Sequence, residues 1–309
     1  MGRLAVCPLS RGFSLADPDT GEYGYISGGI IEKEVSKEMR KQVLNSTREV
    51  LWRILFPLML LLLFPRPATA GDPAIAGLFT RKGIEGTMVL SSLKSGRTFV
   101  HNDDRASRRL PVASTFKILN TLIALEEKVA TGKDHLIRWD GRRHDLEDWN
   151  RDQTLESAFR VSCVWYYQEL ACRIGAEKYR DYLNRSGYGK LREPFDTTTF
   201  WLDGSLEISA REQADFLRKL YLRKLPFRGS SYETLREIMV AERTLDFTMY
   251  GKTGWAASAT PQIGWYVGYI ETENEVWFFA LNMNVRSESD LALRKQLVRE
   301  ALQAKGIIR

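Results

Sequence analysis

Strand patterning opens and closes the span from residue 86 to 309, a long helical block lies between, and few folds accommodate that order. Thr87-Met-Val-Leu-Ser91 and Arg97-Thr-Phe-Val100 flank a turn at Lys94-Ser-Gly96, which predicts two strands within Gly86 to Asn102. Three more strands are predicted at Asp246 to Lys252, Ile263 to Ile270 and Val276 to Met283. Between the two blocks, apolar residues recur at helical spacing. Phe116, Leu119, Ile123 and Leu125 place a helix over Ser114 to Lys128, just after Pro111, and others fall at Ser162 to Arg173, Ala176 to Leu183 and Ser209 to Leu220. A last helix covers Asp290 to Ala304. The separated strand blocks are expected to pair with each other. The expected class is therefore α/β (α+β): an antiparallel sheet flanked by helices, plus a helical subdomain beside it. The crevice between the two parts is the natural place for a site.

Residues 39–70 break this pattern. Arg40, Lys41, Arg48 and Arg53 lead into the apolar run Ile54 to Phe64, followed by Pro65-Arg-Pro-Ala-Thr-Ala70. A basic end, a short apolar core and Ala68-x-Ala70 before the cut read as a secretory signal. The run is well short of the roughly 20 residues a membrane span needs, so cleavage is expected in place of a stable membrane anchor. No Cys directly follows the cut, so no lipoprotein is expected. Translation is expected to start at Met39, with residues 1–38 a mis-called start or an extension, and residues 71–309 form the secreted, periplasmic domain. The formal charge of +6 comes from basic residues mixed with 39 acidic ones, which reads as a solvated surface and no nucleic-acid partner. The three cysteines make no disulfide framework: Cys163 and Cys172, if they share a helix, stand about 13 Å apart, and both read as buried small hydrophobes.

Ser114-Thr-Phe-Lys117 is an S-x-x-K pair at a helix start, where the two side chains share a face one turn apart and an amine reaches a hydroxyl. Ser91-Ser-Leu-Lys94 matches equally well but falls in the predicted hairpin, where such a pair does not share a face. Taken singly, Ser114 reads as a helix cap and Lys117 as a solvated lysine. Two further motifs follow in order: Ser162-Cys-Val164 at a later helix start, and Lys252-Thr-Gly254-Trp255 ending a predicted strand before a turn. S-x-x-K, S-x-[NV] and K-T-G in that order are similar to the signature of penicillin-recognising serine acyl-transferases. His101, His135 and His144 are the only histidines and none stands in a triad-like setting, so Lys117 is expected to act as base for a Ser114 nucleophile. Its pocket should then be hostile to an ammonium. Ser162 would relay a proton to the leaving nitrogen. Lys252 and Thr253 would hold the substrate carboxylate, Gly254 would allow close backbone approach, and the N–H groups of Ser114 and Trp255 would form an oxyanion hole.

The resemblance then becomes specific. Beside the three motifs, Tyr188-Gly-Lys190, Trp201-Leu-Asp-Gly-Ser-Leu206, Trp149-Asn-Arg-Asp-Gln-Thr-Leu155 and Pro261-Gln-Ile-Gly-Trp-Tyr-Val-Gly268 resemble class D (oxacillinase-type) β-lactamases over residues 77–309 and over none of 1–70. The resemblance implies a serine β-lactamase/penicillin-binding transpeptidase-like fold, a small-molecule β-lactam substrate and antibiotic resistance. It further implies that Lys117 is carboxylated by CO2 or bicarbonate to N6-carboxylysine, which serves as base for both acylation and deacylation, with no metal and no other cofactor. Val164 and Leu202 would make the pocket apolar, Trp201 would donate to the carbamate, and Arg294 would join Lys252 at the substrate carboxylate. Lys190 departs from the Asn of the family's Y-G-N. Glu193-Pro194 superficially invites a class A reading, but the S-D-N of that class is absent. A β-lactam sensor or a penicillin-binding enzyme that deacylates slowly is the alternative.

Overall fold

The computed structural model describes residues 71–309; the predicted signal at 39–70 and the extension at 1–38 lie outside the described residues. Asp72 caps the first helix, α1 (Pro73–Lys82), by accepting from the N–H groups of Ala74 and Ile75. The chain then makes β1 (Gly86–Ser92), β2 (Thr98–His101), α2 (Asp103–Ser107) and β3 (Leu110–Pro111). A 3-10 turn over Ala113–Phe116 runs straight into α3 (Lys117–Glu126). The helical block continues through β4 (Leu136–Ile137), β5 (Gln153–Thr154), α4 (Leu155–Arg160), α5 (Val164–Ile174), α6 (Ala176–Ser186), β6 (Lys190–Leu191), β7 (Leu206–Ile208), α7 (Ala210–Tyr221) and α8 (Gly229–Ile238). Strands β8 (Val240–Arg243), β9 (Phe247–Ala256), β10 (Gln262–Thr272) and β11 (Val276–Val285) precede the final α9 (Leu293–Ala304).

The predicted pairing of the two ends is realised. The six-stranded sheet has the order β2-β1-β11-β10-β9-β8, and β1 lies antiparallel to β11 from Gly86 opposite Met283 to Ser92 opposite Trp277. Helices cover both faces. On one, Ile75, Leu78 and Phe79 of α1 and Leu297, Val298 and Ala301 of α9 pack on Met88, Leu281 and Met283. On the other, the helical subdomain encloses Phe116, Leu119, Tyr166, Trp201 and Trp265. Being buried on both faces, β10 and β11 read as near-continuous apolar runs and show no alternation. Each such large side chain contributes about 1.5–3 kcal/mol of burial.

Two expectations need correction. Strand β9 does not stop at Lys252: its ladder with β10 runs on to Ala256 opposite Ile263, so Lys252 to Trp255 form the end of the strand, and the expected turn follows from Ala257. Cys172 is exposed, because the buried stripe of α5 is Tyr166, Tyr167, Leu170, Ala171 and Ile174 and Cys172 falls on the opposite face. Cys163 is buried as expected, and both thiols are free.

Candidate active site

The nucleophile sits where a short ladder hands over to a helix. Val112 N–H donates to the Leu206 carbonyl at 3.1 Å, and the indole of Trp265 on β10 donates to the Pro111 carbonyl at 2.9 Å, which pins the chain entering the 3-10 turn. Ala113 then adopts φ 48°, a left-handed conformation costly for a residue with a Cβ. That twist delivers Ser114 to the turn, with Lys117 as the first residue of α3. Lys117 Nζ donates to Ser114 Oγ at 2.9 Å. The Lys117 side chain has no exposed surface, and its Nζ lies 5.1 Å from the centre of the Tyr167 ring. Burial pushes its pKa down to about 7, with the Cys163 thiol opposing weakly. A neutral amine is thus accessible near neutral pH.

Trp201 is wholly buried, its ring 5.9 Å from that of Phe116 and 5.1 Å from that of Phe200, and its indole N–H has no partner among the described residues. Leu202 packs half-buried on the same core, and Val164 is half-buried at the start of α5. The amine of Lys117 is thus enclosed in part by Tyr167 of α5, a residue outside the three motifs.

Ser162 stands two residues ahead of α5, not on the helix itself, with φ 59°. Its turn is held from outside: the Trp149 indole donates to the Val161 carbonyl at 3.0 Å, and the Trp165 indole donates to the Trp149 carbonyl at 2.9 Å. Across the crevice, Lys252 Nζ donates to Ser162 Oγ at 2.6 Å and to the Thr253 carbonyl at 3.0 Å. Lys252 is buried, 5.6 Å from the Phe159 ring centre, and burial first, then the charges of Lys117, Arg294 and Lys295, hold its pKa well below the usual lysine range. A Cβ on Gly254 would stand 3.1 Å from Thr115 Cγ2 and 3.3 Å from Thr115 N, so glycine lets β9 lie directly against the nucleophile's turn. Arg294 donates from one guanidinium nitrogen to the Gly254 carbonyl and from Nε to the Leu291 carbonyl, each at 2.7 Å, and burial lowers its pKa to about 10. Gly251 N–H points off the open edge of β9 to the Met239 carbonyl, and by strand alternation Trp255 N–H leaves the same edge.

The crevice thus brings together Ser114, Lys117, Ser162, Lys252, Gly254 and Arg294. Lys190 is exposed on β6 opposite Glu207. Glu193 is exposed and bound to Arg180 at 2.6 Å, which lowers the pKa of its carboxyl and makes it a weaker base. His101 stacks on Phe79. Trp149, Trp165 and Tyr167 stand in sequence runs that carry the resemblance but that assign them no role, and nothing in the sequence points to Phe159.

The model of the penicillin binding protein transpeptidase domain matches residues 86–303. β-Lactamase OXA-48 of Klebsiella pneumoniae is 38% identical over 230 residues, covering 74% of this chain and 87% of that protein. The probable β-lactamase YbxI of Bacillus subtilis is 40% identical over 203 residues, covering 66% and 76%. Among solved structures, the class D β-lactamase YbxI from Nostoc superposes with a TM-score of 0.74 at 39% identity, over 75% of this chain and 98% of that one. FUS-1 (OXA-85) of Fusobacterium nucleatum gives 0.75 at 37%, over 77% and 100%. With matches that span the sheet and every motif of the crevice, the chain belongs to the class D β-lactamases.

Proposed function

We propose that this chain hydrolyses the β-lactam amide of penicillin-type antibiotics through an acyl-enzyme on Ser114, and so confers resistance. The observation that carries this reading is the 2.9 Å contact between Ser114 Oγ and an amine whose pKa burial brings to about 7. Ser114 Oγ attacks the lactam carbonyl as its proton passes to the base at position 117. The carbonyl oxygen takes its charge against the N–H groups of Ser114 and Trp255. As the C–N bond breaks, the nitrogen takes a proton from Ser162, which Lys252 resupplies over 2.6 Å. A substrate carboxylate set between Lys252, Thr253 and Arg294 offsets the crowding of cations there. The proton held at 117 passes to Lys252 and restores it; water then attacks the Ser114 ester, losing its proton to the freed base at 117, which returns it to Ser114 Oγ as the ester C–O bond breaks and the product acid leaves.

The residues present also fit carboxylation of Lys117. CO2 adds only to a neutral amine, which burial provides, and Trp201 supplies a buried indole donor that otherwise lacks a partner. A carbamate supplies a carboxylate base; Trp201 would hold it, with Leu202 and Val164 on the apolar side. The composition of residues 39–70 supports export to the periplasm with cleavage after Ala70.

Mass spectrometry of the secreted protein mixed with benzylpenicillin tests this. A transient adduct on Ser114, an N-terminus at Gly71 and repeated turnover are expected. A stoichiometric adduct that persists would mark a sensor and overturn the hydrolytic reading.

A further inference from the structure

Strand β8 leaves β9 at Tyr250, which faces Val240, and after Gly251, whose N–H donates to the Met239 carbonyl at 2.9 Å, the edge of β9 is open. A cavity of about 190 Å³ wraps that edge, lined by Gly251, Lys252 and Thr253 with Phe159 and Arg160 from α4 and Lys295 from α9. Every charged group on its wall is a cation. Arg160 is exposed and shares part of its charge with Glu156 at 3.1 Å, and Lys295 makes no hydrogen bond or ion pair among the described residues. Lys295 acts on Lys252 electrostatically, which places both in one field.

We infer that Arg160 and Lys295 form a second anion subsite that selects β-lactams carrying an acidic group on the substituent next to the ring carboxylate. This rests on the proposed β-lactam binding mode. With the ring carboxylate at Lys252 and Thr253 and the reacting carbonyl toward Trp255, the cavity extends on the Gly251 side. In that binding mode a substituent on the carboxylate side of the ring would be the one directed toward it. A sulfonate or carboxylate there would meet two cations that have no carboxylate of their own inside the cavity.

The test uses two cephalosporins with the same acyl side chain, bearing at the 3-position a tetrazole thioether that is N-methyl in one and N-sulfomethyl in the other. Their Kd values are measured by calorimetry in the Ser114→Ala protein, so that binding is read without turnover. The sulfonate compound should bind more tightly. The preference should fall about threefold in Lys295→Gln and about tenfold in Arg160→Gln/Lys295→Gln, the scale of partly exposed ion pairs, and should shrink with added salt. Lys295→Glu should reverse it. An equal Kd for the two compounds, or a preference unchanged in the double variant, would overturn the subsite. Because benzylpenicillin turnover is measured separately in the Ser114 protein, loss of the hydrolytic reading shows up there and not in this ratio.

Discussion

Replacing Trp201 by Phe removes one N–H from the core and keeps a ring in the stack on Phe116 and Phe200. That N–H is buried without a partner, so the uncarboxylated protein already bears the cost of an unsatisfied donor, about 1–3 kcal/mol. Trp201→Phe relieves that cost and creates a small void, and the two effects oppose each other. With the proposed carboxylation of Lys117, the same N–H would meet an anion, and a hydrogen bond to a charged group contributes about 1.5–3 kcal/mol. The variant should therefore need roughly 10- to 100-fold more bicarbonate for half-maximal activity. The assay is penicillin hydrolysis after acidification and degassing, titrated with bicarbonate, with the carbamate followed by ¹³C NMR. Melting temperature should fall less without bicarbonate than with it. An unchanged half-maximal bicarbonate concentration would refute the role of Trp201. A parent protein indifferent to bicarbonate would remove the carbamate altogether and leave the neutral amine as base.

The remaining expectations concern the base and the strand beside it. Lys117 has its pKa lowered to about 7, so the neutral form prevails above that value and is lost as pH falls through it; kcat/KM at fixed bicarbonate should fall on the acid side of about 7, and Lys117→Ala should slow acylation and deacylation together by about 10²–10⁴-fold in stopped-flow traces. Ordinary turnover by that variant would rule out the base. Gly254→Ala places a Cβ 3.1 Å from Thr115 Cγ2 and 3.3 Å from both Thr115 N and Trp265 Cβ, so β9 must shift off the nucleophile's turn. A loss of about 10–100-fold in kcat/KM with about 1–3 kcal/mol of stability is expected by steady-state kinetics and denaturant melts, and parent-like kinetics would contradict the close fit.

How far the sequence is legible depends on the range of each signal. The S-x-x-K contact is local, one helical turn, and Lys117 Nζ lies at Ser114 Oγ as the spacing predicts. Pairing of the chain ends follows from apolar strands at both, and β1 on β11 bears it out. Where β9 ends is not local: its partner strand β10 carries it through the K-T-G motif to Ala256, which no property of residues 253–256 announces. Ser162 was read onto a helix because Val164 onward is helical, while its own left-handed turn depends on indoles sixteen residues apart, Trp149 and Trp165. The enclosure of Lys117 is equally non-local, since Tyr167 of α5 reaches its amine through tertiary packing. Exposure of Cys172 was decided by which face of α5 turned inward, a choice one residue alone does not reveal.

Both hydroxyls of the crevice are delivered by a residue with a Cβ held at positive φ: Ala113 at 48° just before Ser114, and Ser162 itself at 59°. Each such placement costs about 1–2 kcal/mol relative to ordinary backbone. Tension is thus concentrated at the reaction centre and restrained by the β3–β7 ladder on one side and the Trp149 indole on the other. Relaxing either restraint would release that strain and displace Ser114 or Ser162, so substitutions at Trp149 or in the β3–β7 ladder are felt at the reaction centre although those residues stand behind it.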